Sequence, residues 1–143
     1  MQEKDNALDL IDRLSELLAY LLELKKQGKF QQAIELIDDT FWRDFNFDSN
    51  NVNQISEDFI YDFLQNSQKA SPEIISRLGD LFNEKGDLLF NQNRFKESKD
   101  ILSNALTIYF YLNDNQDFFS FERMNKMEMI NRKLSNIDLK INH

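Results

Sequence analysis

The amino-acid sequence predicts an all-α protein of antiparallel αα-hairpins, five to six helices in one domain spanning 1–143. Three observations carry this expectation. Apolar residues recur at helical spacing along most of the chain. One Pro and three Gly in 143 residues supply too little turn material for a β-sandwich or barrel. Two short bends, 65 residues apart, repeat the same order of residue types, and each joins two apolar-striped segments.

The first helix is expected over about Asn6 to Gln27. Leu10, Leu14, Leu17, Leu21 and Leu24 follow a 4-3-4-3 spacing, which Ile11, Leu18 and Leu22 widen. Asp5 or Asn6 can cap its start, Lys25 and Lys26 suit its C-terminal dipole, and Gly28 can stop it in the left-handed conformation. The second helix is expected from about Phe30 to Trp42, with Phe30, Ala33, Ile34, Ile37 and Phe41 on one face. Residues 43–55 lack a helical period and are rich in Asn, Asp and Ser, so they read as a loop. Ser56 then opens a short third helix ending near Gln65, with Phe59, Ile60, Phe63 and Leu64 as its apolar face.

Ser71-Pro72-Glu73 combines an N-cap, a Pro at the first helical position and an acid in the first turn. The fourth helix follows to about Asn91 through Ile74, Leu78, Leu81, Phe82, Leu88 and Leu89. Gly79 and Gly86 fall inside it, each costing about 1 kcal/mol relative to Ala. Their presence predicts a close contact with another helix, where a side chain would clash. The fifth helix covers about Phe95 to Leu112, broken by 113–117. The sixth begins near Phe119 or Ser120, with Met124, Met127, Ile130, Leu134, Ile137 and Ile141 on one face.

The two bends are Gln27-Gly28-Lys29-Phe30-Gln31-Gln32-Ala33 and Gln92-Asn93-Arg94-Phe95-Lys96-Glu97-Ser98. Their offset is near twice the ~34-residue tetratricopeptide period. On these residues the chain resembles a degenerate tetratricopeptide-type repeat protein, of the kind found among small bacterial proteins, a likeness that implies no activity. The resemblance implies a short superhelix of stacked hairpins in which small residues on paired helices face each other. Gly86 and Ser98 stand at those positions in the later hairpin, Ala105 at the second small site, and Phe82 where the family prefers an aromatic. The earlier hairpin matches at Ala33, but Leu21 and Thr40 replace small residues, and Lys85 stands where the family prefers Leu. The match covers 17–45 and 79–112.

The net charge of −8 is concentrated. Residues 30–68 carry −7, and residues 119–143 carry +2. An acidic balance disfavours nucleic acid, since phosphates need a basic surface. The acidic stretch can instead attract a basic partner, or complement the basic C-terminal helix within one molecule or between two. The longest uncharged apolar run near the N-terminus, Leu17–Leu22, is far below the ~20 residues that span a bilayer. With no secretory leader evident in Met-Gln-Glu-Lys-Asp-Asn, the expectation is a soluble cytoplasmic protein with no membrane contact.

Chemistry-bearing motifs are sparse. There is no Cys, the only His is His143, and no Gly-rich phosphate loop occurs, so no cofactor is expected. The stretch 44–50 echoes a calcium loop but places Ser49 where Gly is required and Ile55 where a bidentate Glu belongs. Asp38/Asp39 and Glu57/Asp58 are the paired acids a carboxylate-dependent hydrolase would need, yet neighbours in sequence do not share a helix face.

Binding residues are more legible. Seven of 18 aromatics lie within 41–63. Phe41, Phe59 and Phe63 fall on helical faces and are expected in the core, leaving Trp42 and Phe47 as surface candidates. The tetratricopeptide resemblance implies a peptide groove along the first helix of each pair. Leu18, Leu22, Asn83 and Asp87 occupy the positions of the family's carboxylate clamp, and two leucines with an acid cannot hold a carboxylate. Asp80, Asn83, Asp87, Phe90 and Asn91 would instead line a polar, mildly acidic groove. The expected role is a non-catalytic protein-interaction module or small scaffold binding a protein or peptide, with homodimerisation as the alternative.

Overall fold

A computed structural model describes residues 2–48, 56–66, 71–115 and 120–142. Those residues form six α-helices and no strand: α1 (Gln2–Lys26), α2 (Phe30–Phe45), α3 (Glu57–Asn66), α4 (Pro72–Asn91), α5 (Phe95–Asn115) and α6 (Phe121–Ile141). The helix order matches the sequence expectation, with shifted ends. α1 begins at Gln2, through the expected caps, and α2 runs three residues beyond Trp42. α5 continues through 113–115, the first part of the expected 113–117 break. Residues 49–55 of the expected 43–55 loop, with the calcium-like positions Ser49, Asn50 and Ile55, lie outside the described residues, as do 116–119 and His143.

The two look-alike bends have the same backbone geometry. Gly28 and Asn93 both take positive φ, +73° and +63°. After each, the next residue's N–H reaches back five positions: Lys29 to the Leu24 carbonyl at 2.9 Å, and Arg94 to the Leu89 carbonyl at 2.9 Å. These are Schellman closures, which satisfy the last carbonyls of α1 and α4 and turn the chain sharply enough for the next helix to start at once. Ser71 caps α4 by accepting from the Ile74 N–H, and Ser56 and Ser120 do the same for α3 and α6.

α4 is the helix that the others share. It packs against α1, α2 and α5, and 11 of its 20 residues are buried, so little of its circumference meets water. Its contact with α5 is the most extensive in the molecule. There the two internal glycines act as the sequence indicated. A Cβ on Gly79 would lie 2.8 Å from Tyr109 Cε1, and one on Gly86 would lie 2.5 Å from Leu102 Cγ. Ser98 Oγ donates to the Gly86 carbonyl at 2.7 Å, locking the start of α5 onto α4. A larger residue at either position would hold the backbones apart.

On the opposite side α2 delivers Phe41 onto Phe82, with stacked rings 4.6 Å apart. Asn46 ends α2 in the left-handed conformation (φ 59°), and this turn corrects one surface assignment. Phe47 is not exposed: it is folded back to 2% exposure, with its ring 5.0 Å from Phe63 and 5.8 Å from Phe41. Phe59, expected in the core, is instead exposed at the rim of this cluster. α3 packs on α5 and contributes Ile60 and Leu64 to the core.

α6 lies along α5 and buries Met127, Ile130 and Ile137, whereas Met124 and Ile141, expected on the same face, are exposed. Among the described residues, none of its cations pairs with the acidic 30–68 stretch. Lys126 goes to Asp80 and Lys133 to Asp87 on α4, Arg123 to the Asn113 side chain of α5 at 2.6 Å, and Arg132 to Glu128 within α6.

Gly86→Ala is expected to lower the unfolding free energy by about 1–2 kcal/mol. A Cβ only 2.5 Å from Leu102 Cγ puts the overpacking cost in the upper part of its range, about 2–3 kcal/mol, and the gain in helix propensity returns about 1 kcal/mol. Leu102 is fully buried and cannot swing aside. Chemical denaturation checks this, and an unchanged or higher midpoint would show that α4 and α5 do not approach so closely.

Candidate functional site

Three helices converge on one cleft of about 350 Å³. α1 contributes Leu18, Ala19 and Leu22, α4 contributes Asp80, Asn83 and Glu84, and α6 contributes Glu122 and Lys126. Its character follows from the helix faces. The leucine stripe of α1 is wider than the core needs, so Leu14, Leu21 and Leu24 go inward while Leu22 stays exposed and Leu18 half-buried. The polar face of α4 then meets this apolar edge.

Most of the charge in the cleft is matched. Asp80 is buried and accepts two bonds on one oxygen, from Tyr109 Oη at 2.5 Å and Lys126 Nζ at 2.9 Å. Burial, and then the neighbouring Asp80, push the Tyr109 phenol far above its usual range, so it stays protonated and donates. One turn and a half along α4, Lys25 of α1 bridges Glu84 at 3.1 Å and Asp87 at 2.9 Å, and Lys133 of α6 closes on the other Asp87 oxygen. Burial works against the charge on Asp87, but the bonds from Lys133 and Lys25 outweigh it and hold the carboxyl below the usual carboxylate range. For Lys25, burial likewise opposes the charge, and Asp87 and Glu84 overcome it and hold the ammonium above its usual value. Glu122 is exposed and meets the shared Lys126 at 3.3 Å. The lining thus holds three carboxylates against one ammonium.

On the α2 side of α4, Lys85 is a buried cation. It is 1% exposed and pairs with Asp38 of α2 at 2.6 Å. Burial dominates both partners, lowering the Lys85 ammonium and raising the Asp38 carboxyl despite their mutual attraction. This pair fixes α2 against α4 and uses Asp38 structurally, while Asp39 points to solvent.

Of the expected groove residues, Asp80 and Asn83 line the cleft. Asp80 differs from expectation in being buried and neutralised, because Lys126 and Tyr109 converge on it. Asp87 lies beyond the lining, held by two lysines. Phe90 packs edge-on against Phe95 at 5.4 Å, and Asn91 is exposed at the end of α4. Trp42 is 56% exposed on α2, as expected, but does not line the cleft. Leu18, Ala19, Leu22, Glu84, Glu122 and Lys126 complete the site. The signal for the leucines was their place at the clamp positions, an apolar pair where the groove would be polar.

Other surfaces offer less. A notch of about 120 Å³ between α1 and α2 is bordered by Arg13 and Arg43, both within ion-pair distance of Asp44. A hollow of about 440 Å³ runs along α3, where Phe59, Asp62, Phe63 and Asn66 supply its described lining from one helix only. Among the described residues, no group of three or more His, Asp or Glu is arranged to hold a metal ion, and no helix is long and apolar enough to cross a membrane. Comparison with family models, with curated proteins and with solved structures found no match to this chain.

The Asp87 network makes stability pH-dependent with a definite sign. A carboxyl whose folded pKa is depressed stabilises the fold above its unfolded value, ~3.9, and loses that contribution as pH falls through the folded value. Lys25, raised, contributes below its ordinary 10.5 and loses the contribution as pH rises through its folded value. Asp38, raised, acts in the opposite sense to Asp87 but is common to wild type and variant. Asp87→Asn is therefore expected to be about 1–2 kcal/mol less stable near pH 7, with the difference shrinking below pH ~4. Urea denaturation from pH 2.5 to 7 measures both curves, and a constant gap would remove Asp87 as the source.

Proposed function

We propose that the chain is a degenerate tetratricopeptide-like interaction module that acts by binding a protein or peptide at the α1–α4–α6 cleft and performs no catalysis of its own. The observation that carries this reading is the exposed Leu18–Leu22 edge standing beside the carboxylates of α4 and α6. An apolar step next to fixed polar groups is the usual make-up of a recognition site, where burial supplies affinity and the polar groups set orientation. The two Schellman bends and the Gly86–Ser98 contact support the repeat resemblance. In that arrangement α1 and α4 are the first helices of the two look-alike hairpins, the kind of helix that lines the family's groove.

The expected partner segment carries an apolar side chain for Leu18 and Leu22 and a cation for Glu84 or Glu122. The acidic excess of the lining favours such a ligand and repels acidic tails. Trp42 lies on α2, outside the lining, and is not part of the proposed contact.

Selection from an unbiased displayed peptide library against the folded chain tests this. Selected peptides are expected to pair basic and apolar residues. Leu22→Asp should weaken them at least about tenfold, equivalent to about 1.4 kcal/mol, in fluorescence anisotropy, while Trp42→Ala leaves them unchanged. Failure to select any peptide, or binders indifferent to Leu22→Asp, would contradict the proposal.

A further inference from the structure

The polar groups of the α1–α4–α6 cleft discriminate between kinds of cation. On α4, Asp80, Asn83 and Glu84 stand at i, i+3 and i+4, so they share one face within a single turn. Glu122 joins them from α6. The partners of each carboxylate gather on one oxygen. Tyr109 and Lys126 both go to Oδ1 of Asp80, Lys25 goes to Oε2 of Glu84, and Lys126 goes to Oε1 of Glu122. The second oxygen of each carries no hydrogen bond among the described residues. At Asp80, which is buried, an open acceptor is costly unless a ligand or water meets it. Asn83 acts on the Tyr109 hydroxyl as a donor, which leaves its carbonyl oxygen for a ligand. The cleft therefore offers mainly acceptors, drawn from two helices.

Lys126 already fills the place suited to a compact ammonium. Its Nζ sits 2.9 Å from Asp80 and 3.3 Å from Glu122, between α4 and α6. A second ammonium would meet oxygens spread over several residues, with the Lys126 charge among them. A guanidinium differs in three respects. It spreads its charge over a plane, and its N–H groups form a fork that can bond several oxygens at once. It is also more weakly hydrated, so laying it against Leu18 and Leu22 costs less. The methylene stem of an arginine can run along the same apolar edge.

We propose that the cleft is selective for arginine: the partner segment inserts a guanidinium among Asp80, Asn83, Glu84 and Glu122, with its stem and a neighbouring apolar residue on Leu18 and Leu22. The inference rests on the reading of the cleft as a peptide site and adds its specificity. Free arginine is a poor substitute for such a segment, because its own carboxylate meets the acidic lining.

Three N-acetyl dipeptide amides test this: Leu-Arg, Leu-Lys and Leu-citrulline. They share an apolar anchor and differ in the head group, which is planar and charged, compact and charged, or planar and neutral. Each is titrated at one ionic strength into the isotope-labelled full chain and followed by amide NMR. The arginine probe is expected to shift Leu22 and Asn83 saturably. It should bind at least about fivefold tighter than the lysine probe, while the citrulline probe and free arginine do not saturate. Glu122→Gln removes one carboxylate at an exposed side chain with little change of shape. It should weaken the arginine probe at least about threefold, and Trp42→Ala should bind as wild type. Equal affinity for the arginine and lysine probes at Leu22 and Asn83 would overturn the selectivity and leave the cleft reading standing. Saturable shifts centred on Trp42 would overturn both. Free arginine binding as tightly as the dipeptide would overturn the segment in favour of a small guanidinium ligand. No saturable shift with the arginine probe would overturn the inference, and the cleft reading would then be decided by the library selection alone.

Discussion

Everything in this molecule is arranged around the close approach of α4 and α5. Two glycines remove the side chains that would keep the helices apart, and Ser98 bonds directly to the Gly86 carbonyl across the gap. A helix interior tolerates glycine poorly, so two of them in one helix make sense only if the contact returns more than the propensity lost. Once α5 is seated this closely, α3 can pack on its outer side and α6 along its length. α4 is left with its polar face towards α1 and α6, and that face becomes the cleft.

Electrostatics then orders the helices that hydrophobic contact alone would leave free to slide. Asp80 and Asp87 are seven residues apart on α4, as are Lys126 and Lys133 on α6, and the two pairs meet in register. Lys25 adds α1 to the same network. These groups are partly buried, so solvent screens them less than an open surface pair. Lys85 and Asp38 show the other limit, since burial disfavours both charges. Such a pair adds little net stability over an apolar one, while loss of either partner would strand a buried charge. Its effect is to fix the register of α2 on α4.

The sequence made local features legible and long-range partnerships obscure. Helix existence, the two left-handed bends and the small residues at the α4–α5 contact follow from spacing and residue type within one hairpin. Trp42 was readable as exposed because it falls off the apolar stripe of α2. Phe47 was not readable, because its burial depends on the left-handed turn at Asn46 and on rings from α3 and α4. Asp80 was placed correctly on the groove face, but its partner Lys126 lies 46 residues away, and no local pattern shows that the two will meet. The basic C-terminal segment was visible as a charge excess, whereas its choice of α4 over the more acidic 30–68 stretch depends on the docking angle of α6.

If α4 is the common support, its backbone must be the last to open. Native-state hydrogen exchange resolves this residue by residue. The amides from Leu78 to Leu89 are expected to exchange only through global unfolding, with α1 and α6 opening at lower free energy. Amides of α4 that exchange faster than those of α1 or α6 would contradict the arrangement described.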